Sequence, residues 1–365
     1  MVEWLAGNRI RGTSAEKPTL GVSGVGGWKE LGRVNASVGE VTGLADKRYL
    51  MVLGHHIQGS GNSGLGLQIN GDTTAGHYPR RYSGNGATDA EPTTETTVFI
   101  DTNGSTVSGK EWFTVSYIAN KSDKEKLGIY DTVYNRNGLG SGQHPHRIKG
   151  VYKWTNTTNP ISSIKFSDFN GTAMNSASEV IVLGWDPADT HTSNFWEELV
   201  DTSWSSGSSV ETSAFATKKY LWYQGWFKTG GSMSGSYSAL QVGSGGTIST
   251  SGYTERYSIN GAGDATEINK SNMYGLVGQG NDGSGNELTY INGFIINNSA
   301  NEKLLISDAV GFNPTTGSGT GSEPNRTQGV GKWVTTGSQI NKMKILSAAG
   351  SGAWVGGQLK VWGSD

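Results

Sequence analysis

Apolar and polar residues alternate in short runs along most of the chain, and Gly, Asn, Asp and Ser break the runs. Phe113-Thr-Val115-Ser-Tyr117-Ile118 is one run, and Ile161-Ser-Ser-Ile164-Lys-Phe166 and Glu179-Val-Ile-Val-Leu183 are others. A period of two between turn residues predicts β-strands. Gly293-Phe-Ile-Ile296 and Leu304-Leu-Ile306 flank a polar turn, as the arms of a hairpin do. The one helical expectation is Ser193 to Val200, with Ser193 as N-cap ahead of Trp196, Glu197, Glu198 and Leu199.

The chain also repeats itself. Tyr78, Arg81, Tyr82, Ser83, Asn85, Gly86, Ala87, Asp89 and Ala90 return at the same spacing as Tyr253, Arg256, Tyr257, Ser258, Asn260, Gly261, Ala262, Asp264 and Ala265. Downstream, Asn120, Glu125, Lys126, Leu127 and Ile129 match Asn297, Glu302, Lys303, Leu304 and Ile306. Further on, Pro145, Arg147, Gly150, Val151, Lys153 and Trp154 match Pro324, Arg326, Gly329, Val330, Lys332 and Trp333. Upstream, Trp28 and Leu31 align with Trp196 and Leu199, and Tyr49-Leu50 with Tyr220-Leu221; at the ends, Val182 to Asp186 lies opposite Val361 to Asp365. Collinear matches with small length changes between them read as two copies of one domain, because surface turns accept insertions and strands do not. The expected organisation is an N-terminal arm (1–24), a first β-sandwich (25–187), a short polar linker (188–193) that keeps the domains close, and a second β-sandwich (194–365). The fold class is all-β: a tandem duplication of a jelly-roll-like antiparallel β-sandwich with an extended N-terminal arm.

Composition then narrows the function. Gly makes up 56 of 365 residues, about twice the average usage, but without a three-residue period, so collagen is excluded. A 16% charged, 10% aromatic chain with twelve Trp is the opposite of a disordered one. A net charge of −2 leaves no basic excess for phosphates, so nucleic acid is not an expected partner. Zero Cys removes disulfide frameworks, thiolate metal sites and thiol nucleophiles. No window approaches the apolar length of a membrane span, so no membrane insertion is expected, and Met1 to Gly27 lacks the cationic start and apolar block of a secretory signal.

Candidate chemistry is sparse. Gly59-Ser-Gly61-Asn-Ser-Gly64 fits G-x-G-x-x-G, but the strand pattern Leu65-Gly-Leu67-Gln-Ile69 follows where a nucleotide loop needs a helix. Five of the six His (His55, His56, His77, His144, His146) lack equivalents in the second copy, and adjacent His55-His56 point to opposite faces of a strand, so no metal is expected. Asp282-Gly-Ser284-Gly-Asn286-Glu287 lacks the bidentate Glu of a calcium loop and reads as a polar turn. The acids shared by both copies, Asp89/Asp264, Glu125/Glu302 and Asp186/Asp365, do not form the facing pair that glycoside hydrolysis needs. The expectation is no catalytic residue, no cofactor and no enzyme.

The duplicated Tyr-x-x-Arg-Tyr-Ser-x-Asn-Gly-Ala-x-Asp motif is the most specific signal. Its Asn-Gly pair calls for a tight turn with positive φ, Arg81/Arg256 can pair with Asp89/Asp264 across the hairpin, and Tyr82/Tyr257 can pack inward. Tyr and Asn also suit sugar recognition, which makes Tyr78, Arg81, Tyr82 and Asn85, with Tyr253, Arg256, Tyr257 and Asn260, candidate glycan or partner contacts. Where the first copy has Gly54-His55-His56 the second has Gly225-Trp226-Phe227, so Trp226 and Phe227 mark either a contact patch or a bulkier core. Trp154 and Trp333 are expected core anchors.

Ile161-Ser-Ser-Ile164-Lys-Phe166 followed by Ser178-Glu-Val-Ile-Val-Leu183-Gly184 resembles the closing hairpin of jelly-roll (concanavalin A-like) domains in tailed-bacteriophage virion proteins, and Met343-Lys-Ile-Leu346 to Leu359-Lys-Val-Trp362-Gly363 is a second occurrence. The opening Trp4-Leu-Ala-Gly-Asn8-Arg-Ile-Arg-Gly12-Thr13 resembles the N-termini of marine-phage structural proteins, which makes Trp4, Leu5, Arg9, Ile10 and Arg11 candidate docking residues of the arm. The resemblance implies a non-enzymatic virion component, made in the host cytoplasm without a signal peptide and exposed on the particle as a capsid decoration or a fibre part. Its implied partners are copies of itself, with a trimer among the options, and other virion proteins. The alternative is a glycan-binding adhesin or lectin-type module that contacts host polysaccharide; a glycan hydrolase ranks third.

Overall fold

The computed structural model describes residues 27–35, 39–59, 64–100, 109–135, 138–168, 174–186, 189, 194–229, 238–277, 288–312, 323–347 and 354–365. Within them every regular element is a β-strand. The first half contributes β1 (Lys29–Asn35), β2 (Gly39–Thr42), β3 (Tyr49–Ile57), β4 (Leu65–Ile69), β5 (Arg80–Gly84), β6 (Val98–Phe99), β7 (Glu111–Ala119), β8 (Lys126–Tyr134), β9 (His146–Trp154), β10 (Ser163–Asp168) and β11 (Glu179–Trp185). The second contributes β12 (Glu197–Trp204), β13 (Ser209–Glu211), β14 (Tyr220–Thr229), β15 (Ser238–Ser244), β16 (Thr247–Ile248), β17 (Tyr253–Ile259), β18 (Ala265–Lys270), β19 (Leu288–Ile296), β20 (Lys303–Phe312), β21 (Pro324–Trp333), β22 (Lys342–Ser347) and β23 (Trp354–Ser364).

These strands form four antiparallel sheets. The first half holds a seven-stranded sheet, β1-β11-β3-β7-β8-β9-β5, and a four-stranded sheet, β2-β10-β4-β6. The second half holds an eight-stranded sheet, β12-β23-β14-β19-β20-β21-β17-β18, and a four-stranded sheet, β13-β22-β15-β16. The large sheets correspond strand for strand, with β18 added at one edge; in the small sheets β2-β10-β4 corresponds to β13-β22-β15, but β6 follows β5 in the chain whereas β16 precedes β17. Register corresponds as well: Tyr49 faces Ala119 as Tyr220 faces Ile296, and Val115 faces Asp131 as Asn292 faces Asp308.

Side-chain alternation decides what each sheet faces. Leu50 and Val52 of β3 point toward the small sheet, into a core with Leu67, Ile69, Ile164 and Phe166. Met51 and Leu53 point the other way, into a core shared with Trp196, Phe294, Ile306 and Val330 of the second half. The second half's own core, with Leu221, Tyr223, Trp333 and Met343, lies beyond its large sheet. The molecule is thus a stack of four layers in which the two large sheets are the inner pair. Polar contacts tie the halves at the margins: Glu179 accepts from Lys219 Nζ (2.6 Å) and Tyr220 Oη (2.5 Å), and Arg147 Nη2 lies 2.5 Å from Asp264 Oδ1. The stretch around Gly140 is a clasp, in which Gly140 N–H donates to Glu302 (2.5 Å) and Lys332 donates to the Gly138 carbonyl (3.0 Å).

One local expectation fails. The segment expected to be helical from Ser193 to Val200 is extended where it is described, and β12 pairs with β23 from Glu197 onward. Trp196 is 1% exposed in the middle core, and pairing with β23 outweighs the weak helical preference of a short segment. Ser193, the arm residues Trp4, Leu5, Arg9, Ile10 and Arg11, and the turn Asp282 to Glu287 lie outside the described residues.

Candidate functional site

The inner sheets meet through corresponding elements. β8 lies against β20 and β9 against β21, and Tyr117 meets its counterpart Phe294 with ring centroids 6.4 Å apart. Trp28 packs on Tyr117 (6.4 Å) as Trp196 packs on Phe294 (6.1 Å). This is an approximate twofold arrangement, which should create two similar contacts. Only one of them is closed. On that side Leu304, Ile306 and Val330 are buried against the first sheet. On the other side the corresponding Leu127, Ile129 and Val151 are 58%, 53% and 48% exposed. A cleft of about 920 Å³ opens there, within the size range of small-molecule sites.

Sequence differences between the halves account for the opening. Across the first large sheet one ladder reads Ile181, Leu53, Val115, Asp131, Lys149. Its counterpart reads Lys360, Gln224, Asn292, Asp308, Gln328. Three apolar positions have become polar, and amides and an ammonium cannot be buried dry against an apolar sheet without loss of hydration. The cleft therefore has one apolar wall, with Tyr117, Ile129 and Val151, and one mixed wall, with Gln224, Tyr290, Asn292 and Val310. An adjoining groove of about 880 Å³ extends the apolar wall to Tyr49, Leu127 and Trp185.

At the base, Lys149 Nζ lies 3.1 Å from Asp131 and 2.8 Å from Asp308, its partner across the halves. Burial pushes the Asp131 carboxyl up to about 6 against the pull of Lys149. Burial alone would lower the Lys149 pKa, but the flanking Asp131 and Asp308 raise it, so the ammonium stays charged. Asn292 Oδ1 accepts from Trp222 Nε1 (2.7 Å) and Gln224 Nε2 (3.1 Å). That leaves the Asn292 amide nitrogen and the Gln224 carbonyl without a partner among the described residues. Burial holds the Tyr117 and Tyr290 phenols above their ordinary pKa, so both stay protonated donors.

The residues singled out from sequence divide into three groups. Arg81 and Tyr82 line the cleft, and Trp226, 42% exposed, extends the mixed wall as the cross-strand neighbour of Tyr290. Arg81 pairs with Glu91 (2.7 Å) and not with the expected Asp89. Tyr78, Tyr253, Tyr257 and Phe227 are buried, which corrects their reading as contact residues. The Tyr78 hydroxyl bonds the backbone of Ile69 and Asp72, and that of Tyr253 bonds Val242 and Ser249, so both pin neighbouring strands. Asn85 and Asn260 also serve the fold: at φ 53° and 52° they form the tight turns with Gly86 and Gly261, and their side chains accept from the Arg147 and Arg326 N–H groups. Arg256 is held by the Pro145 carbonyl (3.0 Å) and His144 (3.1 Å), and Asp264 lies 3.9 Å away. Trp154 and Trp333 are core residues.

Cleft residues not singled out from sequence include Tyr117, Asp131, Lys149, Gln224, Tyr290, Asn292 and Asp308. Asp131 and Asp308 occupy corresponding positions and are a shared acid pair, whereas the others are found by divergence between corresponding positions, Leu53/Gln224 and Val115/Asn292 above all. Matching identities between the halves passes over such pairs.

No protein-family model matches the chain, and no curated protein matches it. Among solved structures it is similar to Neisserial surface protein A (NspA), at 8% identity over 83% of this chain and 99% of that one, with a TM-score of 0.12. It is also similar to the binding domain of botulinum neurotoxin serotype D/C, at 9% identity over 86% of this chain and 87% of that one, with a TM-score of 0.12. Superpositions this poor carry no argument about fold or function.

Proposed function

We propose that this chain is a non-catalytic structural protein of a phage-like virion, exposed on the particle as a capsid decoration or fibre component and associating with copies of itself and with other virion proteins. Its halves are read as a tandem duplication of a jelly-roll-like sandwich, which the matching strand order of the two large sheets and the recurring motif support. The observation that carries the non-catalytic reading is the use made of four of the six shared acids singled out from sequence. Glu125 pairs with Lys153, Glu302 with Lys332 and Gly140, Asp264 with Arg147, and Asp365 with Lys218 and the Lys219 N–H. Each contributes to holding strands or halves together.

The composition of purified particles tests the proposal. A stoichiometric band of this chain supports it. Its absence from particles, or release of reducing ends from polysaccharide by the purified protein, overturns it. A second reading, a glycan-binding module, is favoured by the open cleft.

A further inference from the structure

The cleft poses a chemical question: what fits between an apolar wall and a wall of amides and phenols? An acyl chain would leave the Asn292 amide nitrogen and the Gln224 carbonyl unpaired on one side. An extended peptide binds sheets by adding a strand at an edge, but both walls here are sheet faces whose backbone groups already serve the ladders. A polyanion is disfavoured, because Asp131 and Asp308 outnumber Lys149 at the base and Arg81 is paired with Glu91. A sugar chain satisfies both walls. Its C–H faces pack on Tyr117, Ile129 and Val151 or on the Tyr290 ring, and its hydroxyls meet the free Asn292, Gln224, Tyr117 and Tyr290 groups.

We infer that the cleft between the large sheets binds an uncharged oligosaccharide, with Tyr290, Asn292 and Gln224 as its principal contacts and Trp226 as an outer stacking platform. This rests on the second reading above and deepens it by naming site and ligand class. The corresponding contact on the far side of the twofold is apolar on both faces and closed, so polar replacement in the second half both opens the cleft and supplies the hydrogen-bonding groups.

The test is titration calorimetry of the full chain with neutral hexose oligosaccharides (glucan, mannan and galactan fragments) and with uronate-containing ones for comparison. Variants are Y290A, W226A and N292V, the last restoring the residue type of the matching Val115; V355S, at an exposed position away from the cleft, is the control. Urea midpoints verify that each variant is folded. The expected result is binding of at least one neutral series, weakened tenfold or more by Y290A and N292V, less by W226A, and not by V355S. Binding of no neutral oligosaccharide overturns the glycan reading and this inference together. Neutral-sugar binding that survives Y290A and N292V overturns the site and leaves the reading intact. Preference for the uronate series overturns the ligand class.

Discussion

Truncation of Leu183 to Ala measures how firmly the two halves are joined. Leu183 lies on the outward face of the first large sheet, which would be solvent-exposed if the halves folded apart, yet it is 0% exposed within the middle core. Loss of a leucine from a packed core costs about 3–5 kcal/mol, combining transfer and cavity contributions. Leu127 lies on the same face of the same sheet but is 58% exposed beside the open cleft. Its truncation should cost no more than about 0.5 kcal/mol. Urea unfolding followed by Trp fluorescence reads both, with the slope checking that unfolded-state compactness has not changed. A midpoint for L183A within error of L127A would refute the four-layer stack, because it would mean that the middle core is absent in solution.

Other expectations follow from buried polar groups and strained turns. Asp131 has its pKa raised from 3.8 to about 6, so it takes up a proton on folding; its contribution favours the fold at low pH and falls away as pH rises through 6. D131N should flatten that part of the urea-midpoint profile between about pH 4 and 7, and an unchanged slope would count against burial of this carboxyl. Glu255, fully buried and bonded by the Tyr274 and Gly275 N–H groups, is pushed by burial from 4.5 to about 8. Stability should therefore decline as pH rises through 8 in the parent and not in E255Q, as read by thermal melts at pH 6 and 9. Y253F removes the hydroxyl that bonds Val242 and Ser249 and should cost about 1–3 kcal/mol, because the Val242 N–H is left unpaired in the core. N85A puts a Cβ-bearing residue without a local hydrogen bond at φ 53° and should cost about 1–2 kcal/mol, with N85G costing less; equal losses would argue against the turn as the cause.

Much of the fold was legible in the residue pattern, because strand alternation and Asn-Gly turns are local signals. The period-two runs at Glu111–Ala119 and Glu179–Trp185, the Ile296 to Leu304 hairpin and the positive-φ pairs Asn85-Gly86 and Asn260-Gly261 are all present. What escaped depends on partners distant in sequence. Met51, Leu53, Phe113 and Val115 face outward from their own sandwich, and only the second half's Trp196, Phe294 and Ile306 explain why they are apolar. The same non-local contact draws Trp196 inward and places Glu197–Trp204 in a strand, against a helical preference too short to resist it. The cleft was hidden for a related reason. Gln224 and Asn292 look like ordinary outward-facing strand residues until Leu53 and Val115 are seen at the matching registers.

An image of the native assembly that carries this chain, at a resolution that separates β-sheets, tests the surface role most directly. The expected result is repeated four-layer density on the outside of the particle, with the mouth lined by Ile129, Val151 and Tyr290 open to solvent. Particles without such density, or with that mouth sealed against the shell, would contradict it.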